Sequence, residues 1–247
     1  MNRAGRSLPL YLSAPHRCSY LPGRQSSTLF ADPDQAVDPK TYGELLQFGF
    51  RRSGRMVYAP RCEHCSQCIS VRIPVADFKP RRNQRRILQA NKDVVTRERP
   101  NGFNDEHYAL YQAYTAVRHE DGDMASATPA EYLGFLNADW CDTRFLEFRR
   151  NDSLLAVAVT DLPGTALSAV YTFFDPRHGK RSLGTLAILT QIEWARSLGL
   201  EHLYLGYWIR DSRKMAYKGL YRPLEIWRGG TWQRFEQGEP LPDPEIE

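Results

Sequence analysis

The sequence predicts an α+β fold: a mixed, mainly antiparallel sheet with flanking helices, preceded by a cysteine-containing N-terminal region. Three observations carry this. The runs "RFLEFRR", "LLAVAVTDL" and "LSAVYTFFD" are strand-like, and "NDS" and "PGT" between them are turn chemistry, so they read as an antiparallel meander. "SLGTLAILTQIEWARSLG" then reads as a long amphipathic helix stopped by Gly199, and "LEHLYLGY" returns as a strand. A strand, crossover helix and strand are most often parallel and right-handed. Third, "RCEHCSQC" sets Cys62, Cys65 and Cys68 at two equal steps of three in the front part of the chain.

The remaining elements follow in chain order. Residues 1–37 are rich in Pro, Ser and Gly and read as mostly irregular. "DPKTYGELLQFGF" offers Asp38 or Thr41 as a cap ahead of Leu45, Leu46 and Phe48, a short helix. "ISVRIPVADF" alternates and is β-branched, a strand. The segment from about Pro80 to Asn91 is expected to be helical. "NDEHYALYQAYTAVRHE" has Tyr108, Tyr111, Ala113 and Val117 near helical spacing behind an Asn104 cap, and "TPAEYLGFL" is a second capped helix with Pro129 in its first turn. "DSRKMAYKG" predicts a short helix stopped by Gly219, and "LEIWRGGTWQRF" a hairpin around Gly229 and Gly230. This divides the chain into residues 1–75, bearing the cysteines, and 76–247, with a basic segment at 79–99. The order of elements in the second part is that of the GNAT acyltransferase fold.

Composition narrows the classes. With 247 residues, 42% hydrophobic and 25% charged, the chain can bury a sizeable core and is ordinary for a globular protein. Its longest apolar runs are far too short to span a bilayer, and no sustained apolar stretch near the start suggests a secretory signal. A cytoplasmic location without a membrane partner is expected, where five cysteines stay reduced. From Lys79 to Arg99 eight basic residues face two acidic ones. That is the footprint of a polyanion partner, although a solvated helix face gives the same pattern. The tail "EQGEPLPDPEIE" is acidic and Pro-rich.

Four stretches could carry chemistry. A tetrahedral thiolate site needs four ligands, and Cys18 in "HRCSYLPG" completes Cys62, Cys65 and Cys68. Zinc or an iron–sulfur cluster would suit them, in a structural role; His64 is a substitute ligand, and Cys141 lies elsewhere. In "KRSLGTLAIL", Arg181, Gly184 and Ala187 resemble the turn with which GNAT enzymes hold a pyrophosphate. In residues 206–223, "GYWIRDSRKMAYKGLYRP", Arg210, Lys214 and Lys218 recur every four residues, Arg222 follows, and Tyr207, Tyr217 and Tyr221 interleave. A cationic face with aromatics suits a phosphate backbone or a carboxylate. In "AVYTFFDP", Phe173 and Phe174 cannot share one face of a strand, so either one of them lines a site or the sheet is covered on both sides. No Ser-His-Asp, P-loop or zinc-protease pattern is present.

"HRCSYLPG", "GFRRSGRMVYAPRCEHCSQC", "VYTFFDP", "RSLGTLAIL" and "LGYWIRDSRKMAYKGLYRP", in this order over nearly the whole chain, resemble the aminoacyl-tRNA–protein transferases, above all the bacterial leucyl-transferring branch. One departure concerns the metal: the eukaryotic branch has a paired C-x-x-C where this chain has Cys18 and then Leu21, and the Cys triplet would supply the missing ligands. The resemblance implies transfer of an amino acid from charged tRNA, leucyl-tRNA before arginyl-tRNA, to the α-amine of proteins beginning with Asp or Glu, which marks them for degradation. It implies no cofactor for the reaction itself. On this reading Arg181 and Gly184 hold a tRNA phosphate, and Arg81, Arg82, Arg85 and Arg86 the acceptor stem. Arg210, Tyr221 and Arg222, with Lys214 and Lys218, face the acceptor's acidic side chain. Tyr171, Tyr207, Asp211, Lys214, Tyr217 and Lys218 are the catalytic candidates, and Asp175 is an alternative proton acceptor to Asp211. An acetyl-coenzyme A transferase, or a metal-stabilised RNA-binding module without catalysis, are the rival expectations.

Overall fold

The computed structural model describes residues 8–33, 35, 37–118 and 126–244. Four short strands open the chain, β1 (Leu10–Leu12), β2 (His16–Arg17), β3 (Gln25–Ser26) and β4 (Thr28–Ala31), so the segment read as irregular is in part a folded arm. Helix α1 (Pro39–Gln47) starts as expected, with the Asp38 carboxylate accepting from Thr41 N at 2.7 Å. A hairpin not foreseen follows, β5 (Arg51–Ser53) and β6 (Met56–Pro60), turning at Gly54 with φ +56°. Strands β1, β4, β6 and β5 form a four-stranded sheet in that order.

Strand β7 (Ile69–Pro74), helix α2 (Arg82–Ala90), strand β8 (Val95–Pro100), helices α3 (Asp105–Arg118) and α4 (Pro129–Leu136), and strands β9 (Thr143–Arg150), β10 (Ser153–Asp161) and β11 (Ala166–Phe174) come next. The cap expected at Asn104 and the capping box of Thr128 and Glu131 are both formed. Helix α5 (Leu183–Ser197), strand β12 (His202–Trp208) and the hairpin β13 (Leu224–Arg228) and β14 (Thr231–Phe235) complete the chain.

The large sheet has eight strands in the order β14-β13-β7-β12-β11-β10-β9-β8. Its pairs are antiparallel except β11 with β12, which α5 connects. Strand β7, from before residue 75, is an inner strand of this sheet. Phe173 packs with Tyr111 and Tyr132 on the α3 side, whereas Phe174 packs with Leu183 and Leu186 on the α5 side. Both faces are therefore covered, which resolves the Phe173–Phe174 alternative. A fully buried side chain such as Phe173 contributes about 1.5–3 kcal/mol of transfer free energy, and the partly buried Phe174 less.

Glu147 on β9 is buried and accepts from His107 Nε2 at 2.8 Å and from Arg149 Nε at 2.8 Å. Burial alone would raise its pKa, but these two bonds outweigh it and hold the carboxyl at about 2. A depressed carboxyl stabilises the fold above its unfolded pKa, and that contribution is lost as pH falls toward 2. Glu147→Gln is therefore expected to lower the melting temperature at pH 7 and to flatten its fall below about pH 4.5. Parallel melting curves of the two proteins from pH 7 to pH 3 would contradict this.

Candidate active site

The parallel pairing of β11 and β12 is short. Ala166, Leu167 and Ser168 face His202, Leu203 and Tyr204, and beyond them the two strands no longer pair. Residues 169–174 remain bonded to β10, and 206–208 to β7. The sheet thus opens into a fork with its vertex at Ser168 and Tyr204. Helix α5 begins beside the open end, after Ser182 in a left-handed conformation at φ +53°.

The vertex is occupied by Arg51 from β5. Its Nη1 donates to Ser168 Oγ at 3.0 Å and its Nη2 to the Ala169 carbonyl. On the β12 side it lies against Gly206, whose φ is +82°; a Cβ there would stand 3.2 Å from Arg51 Nε. Glycine is thus needed at 206 both for its backbone and for the close approach of the guanidinium. Arg51 was not among the sequence-derived candidates.

Residues 206–223 gather around this fork but do not form the expected helix. Turns linking Ser212 to Ile209 and Met215 and Ala216 to Ser212 lead into a single 3-10 turn, Ala216–Leu220. Arg210, Lys214 and Lys218 consequently share no helical face. Arg210 and Lys214 are exposed, as is Asp211, while Lys218 is buried. Arg210 pairs with Asp243 and donates to the Leu241 carbonyl at 2.9 Å, and Arg222 donates to the carbonyls of Gly219, Tyr221 and Glu239. Both arginines hold the C-terminal segment in place.

Lys218 Nζ donates to the Tyr207 carbonyl at 3.0 Å and lies 3.5 Å from Met215 Sδ. Burial, then the Arg51 charge, lowers its pKa to about 7, against a smaller opposing effect of Cys68. The Tyr207 hydroxyl is itself buried, within hydrogen-bond reach of the carbonyls of Gly49 at 3.1 Å and Tyr58 at 3.2 Å. Tyr217 presents a ring 43% exposed, within electrostatic reach of Tyr114, Arg118 and Arg51; desolvation of its hydroxyl first, then Tyr114, raises its pKa to about 12. Tyr221 is buried and bonds Thr185 in the first turn of α5. Tyr171 stacks edge-on against Tyr114 and Phe135 across the same opening.

The residues expected from the sequence to hold phosphate are differently disposed. Arg181 is clamped by Asp93, both bonds 2.9 Å, and also donates to Asn91 Oδ1. Gly184 sits in the first turn of α5 over the Phe174 ring. Arg81 donates to the Leu220 carbonyl and so ties α2 to the 3-10 turn, while Arg82, Arg85 and Arg86 stand exposed on α2. Asp175 is taken up by Arg177, whose hydrogen bonds hold its carboxyl below the usual range.

The four front cysteines converge beneath the fork. Cys18, Cys65 and Cys68 pack on Leu21, Tyr207 and Ile209, and Cys62 bridges to Cys65 through the backbone. Burial first, then Cys18, Cys62 and Cys65, pushes the Cys68 thiol up to about 12. The amides of Tyr20 and Leu21 point at Cys18 Sγ, both 3.4 Å, and Arg24 Nη1 at Cys65 Sγ. Such donors suit thiolates, so the donor chemistry fits a thiolate-bound metal, although no three His, Cys, Asp or Glu among the described residues stand arranged as a metal-holding group. Cys141 lies apart, beside Arg52 and Asp161. A polar cleft of about 190 Å³ lined by Gly43, Arg72, Thr165, His202 and Tyr204 sits at the paired end of β11 and β12; its Arg72 and His202 are satisfied by Glu225, and it is not the candidate site. Among the described residues no helix is long and apolar enough to cross a membrane.

Comparison with known proteins accords with this arrangement. Residues 16–86 match the family model for arginine-tRNA-protein transferase, N terminus, and residues 106–228 that for its C terminus. A protein of Chromohalobacter salexigens named aspartate/glutamate leucyltransferase is 52% identical over 93% of this chain and 94% of its own. One of Pseudomonas aeruginosa with the same name is 51% identical over 91% of this chain and 96% of its own. Among solved structures, FemX superposes with a TM-score of 0.48 and 10% identity over 86% of this chain and 83% of its own, a likeness too distant to carry argument. The chain belongs to the arginine-tRNA-protein transferase family and is a transferase enzyme, half-identical over almost its full length to aspartate/glutamate leucyltransferases.

Proposed function

We infer that the protein transfers leucine from leucyl-tRNA to the α-amine of proteins whose first residue is Asp or Glu, in the cytoplasm, marking them for degradation. The observation that carries this is the fork of β11 and β12, lined by the residues of the 206–223 motif, in a chain about half identical to leucyltransferases. A parallel pair that separates after three residues, with a helix starting at its mouth, supports a GNAT-like scaffold in which the 3′ end of a charged tRNA enters where other acyl donors would.

The chemistry asks little of the protein beyond placement. The donor is an ester, already activated, and the acceptor α-amine has a pKa near 7.7–8.0, so roughly a third is neutral at about pH 7.5. The amine nitrogen attacks the ester carbonyl, the bond to the terminal ribose oxygen breaks, and the proton shed by the amine ends on that oxygen. Holding amine and ester together supplies up to about 7–11 kcal/mol of the barrier. Lys218 serves as proton acceptor beside the attacking amine. Tyr217 and Tyr171 orient the reacting groups and Tyr221 steadies the mouth of α5. The exposed Arg82, Arg85 and Arg86 hold the acceptor stem through its phosphates. Lys214 and Asp211 stand at the entrance, and Tyr207 shapes the floor.

The deciding experiment mixes the protein with a Glu-initiated peptide and bulk charged tRNA and reads the peptide mass. A gain of one leucine residue is expected. A gain of one arginine would move the chain to the arginyl-transferring specificity, and no gain would refute the reading.

Cys18, Cys62, Cys65 and Cys68 are proposed to hold a structural zinc ion or iron–sulfur cluster that ties the N-terminal arm to the loop before β7. Structural zinc sites contribute roughly 10–16 kcal/mol of apparent binding free energy. Metal analysis should find a stoichiometric ion or cluster, and chelation or Cys62→Ser should lower the melting temperature by about 10 °C or more. A metal-free protein with an unchanged melt after Cys62→Ser would refute the role.

A further inference from the structure

We propose that Arg51, at the vertex of the β11/β12 fork, reads the side-chain carboxylate of the acceptor's first residue, so that the preference for acidic N-termini resides in this guanidinium. The inference rests on the transfer reaction inferred above and assigns its acceptor subsite.

Arg51 and Arg52 are neighbours on β5 and point to opposite faces. Arg52 is fully buried and paired in two hydrogen bonds with Asp161, both 2.6 Å. Arg51 is also buried, 6% exposed, yet among the described residues no carboxylate stands within ion-pair distance of it. Its partners are neutral oxygens, Ser168 Oγ and the Ala169 carbonyl. They take up two of the five N–H donors of a guanidinium. A cation taken out of water without an anion is costly, and an anion that arrives with the substrate offsets that cost at the moment of binding. Lys218, buried within electrostatic reach of Arg51, brings no negative charge to the vertex either, so the guanidinium is left short of an anion.

The geometry selects which anion enters. The vertex is walled by the backbone of β11 at Ala169 and of β12 at Gly206, so only the tip of a chain reaches it. A tRNA phosphate sits within a continuous backbone and meets the exposed arginines of α2 first. The leucyl side chain of the donor is apolar and has no use for a guanidinium. The remaining group is the carboxylate on the acceptor's first side chain, which a guanidinium binds in a planar two-bond fork. Arg210, held by Asp243 and the Leu241 carbonyl, and Arg222, held by the carbonyls of Gly219, Tyr221 and Glu239, are replaced by Arg51 in this role.

The test uses the full protein, leucyl-tRNA and two peptides that differ only in a first residue of Glu or its isostere Gln. Arg51→Met should lower the ratio of kcat/KM for the Glu peptide to that for the Gln peptide about 10–100-fold, chiefly through KM for the Glu peptide, while any change common to both peptides reports the loss of the Arg51 charge beside Lys218. Arg51→Lys, which keeps the charge but not the planar fork, should fall between and covers the case in which Arg51→Met does not fold, as judged by circular dichroism. Equal losses on both peptides would make Arg51 an oxyanion donor or a structural group and overturn the proposal, as would an unchanged Glu-to-Gln ratio in both variants. Absence of transfer by the parent protein would overturn the reaction itself, and the proposal with it.

Discussion

Lys218→Met should lose about 10²–10⁴-fold in leucyl transfer, the range typical of removing a general base. Lys218 lies inside the 3-10 turn with its Nζ held by the Tyr207 carbonyl, and burial, then the nearby Arg51 charge, brings its pKa down to about 7. A lysine so placed is substantially neutral at physiological pH and can take the proton that the attacking amine sheds. Lys218→Arg separates this role from mere positive charge, because a guanidinium does not give up its proton in this range. Both variants should be inactive if Lys218 accepts a proton, whereas Lys218→Arg should retain transfer if charge alone matters. The acceptor amine titrates near 7.7–8.0 as well, so the informative quantity is the ratio of parent to variant rates against pH. It should rise as pH passes through about 7 and then level. As with the depressed Glu147 carboxyl, stability rises with pH, but here the charged form is the costly one. The folded pKa is depressed, so the charged form costs stability in full below about pH 7, and the cost fades as pH rises toward 10.5. Lys218→Met removes that cost and should melt no lower than the parent at pH 7. A variant that keeps transfer within fivefold of the parent would dispose of the assignment.

What the sequence disclosed and what it concealed divide along physical lines. The β9–β11 meander, α5 and β12 were legible because each carries its own period and its own turn or cap. The same holds for α1 and α4, whose N-caps are formed by the residues that announce them. Strand β8 was hidden because all six of its residues are exposed at the sheet edge, so no apolar alternation marks it. The helix expected after residue 210 failed because a four-residue recurrence of cations also fits a chain of turns. Asp211 and Ser212 favour turns, and the burial of Lys218 decides the matter. The β5–β6 hairpin did leave a signal, the Ser53-Gly54 pair, which is turn chemistry. Arg51 left none. Nothing in a short strand of two arginines and a serine says which arginine meets a carboxylate and which meets an opening in a sheet more than a hundred residues further along the chain. That fact lives in tertiary packing alone.

Arg52→Ala is expected to cost about 3–5 kcal/mol, a large share of the roughly 5–15 kcal/mol that holds a typical domain together. The guanidinium is wholly buried. It donates to both oxygens of Asp161 and to the carbonyls of Gly54 at 3.1 Å and Leu136 at 2.9 Å, and Thr143 Oγ1 donates to the same carboxylate at 2.7 Å. One side chain thus joins the β5–β6 hairpin, the end of α4, and β9 and β10 of the large sheet. Truncation leaves the Asp161 carboxylate buried with the Thr143 hydroxyl as its remaining side-chain donor, and the penalty is that orphaned charge rather than the lost attraction. The double variant Arg52→Met, Asp161→Leu, which removes both charges and keeps apolar volume, should therefore recover most of the loss in urea unfolding. A single-variant cost below about 1 kcal/mol, or a double variant worse than either single one, would refute this account. The consequence reaches the active site through one peptide bond. With Arg52 anchored, β5 is fixed in place and Arg51 is presented to the fork in a set direction. The double variant, folded but without the anchor, should bind the Glu peptide more weakly while its affinity for charged tRNA is unchanged. Equal weakening of both would mean that the ion pair supports the whole chain evenly rather than aiming its neighbour.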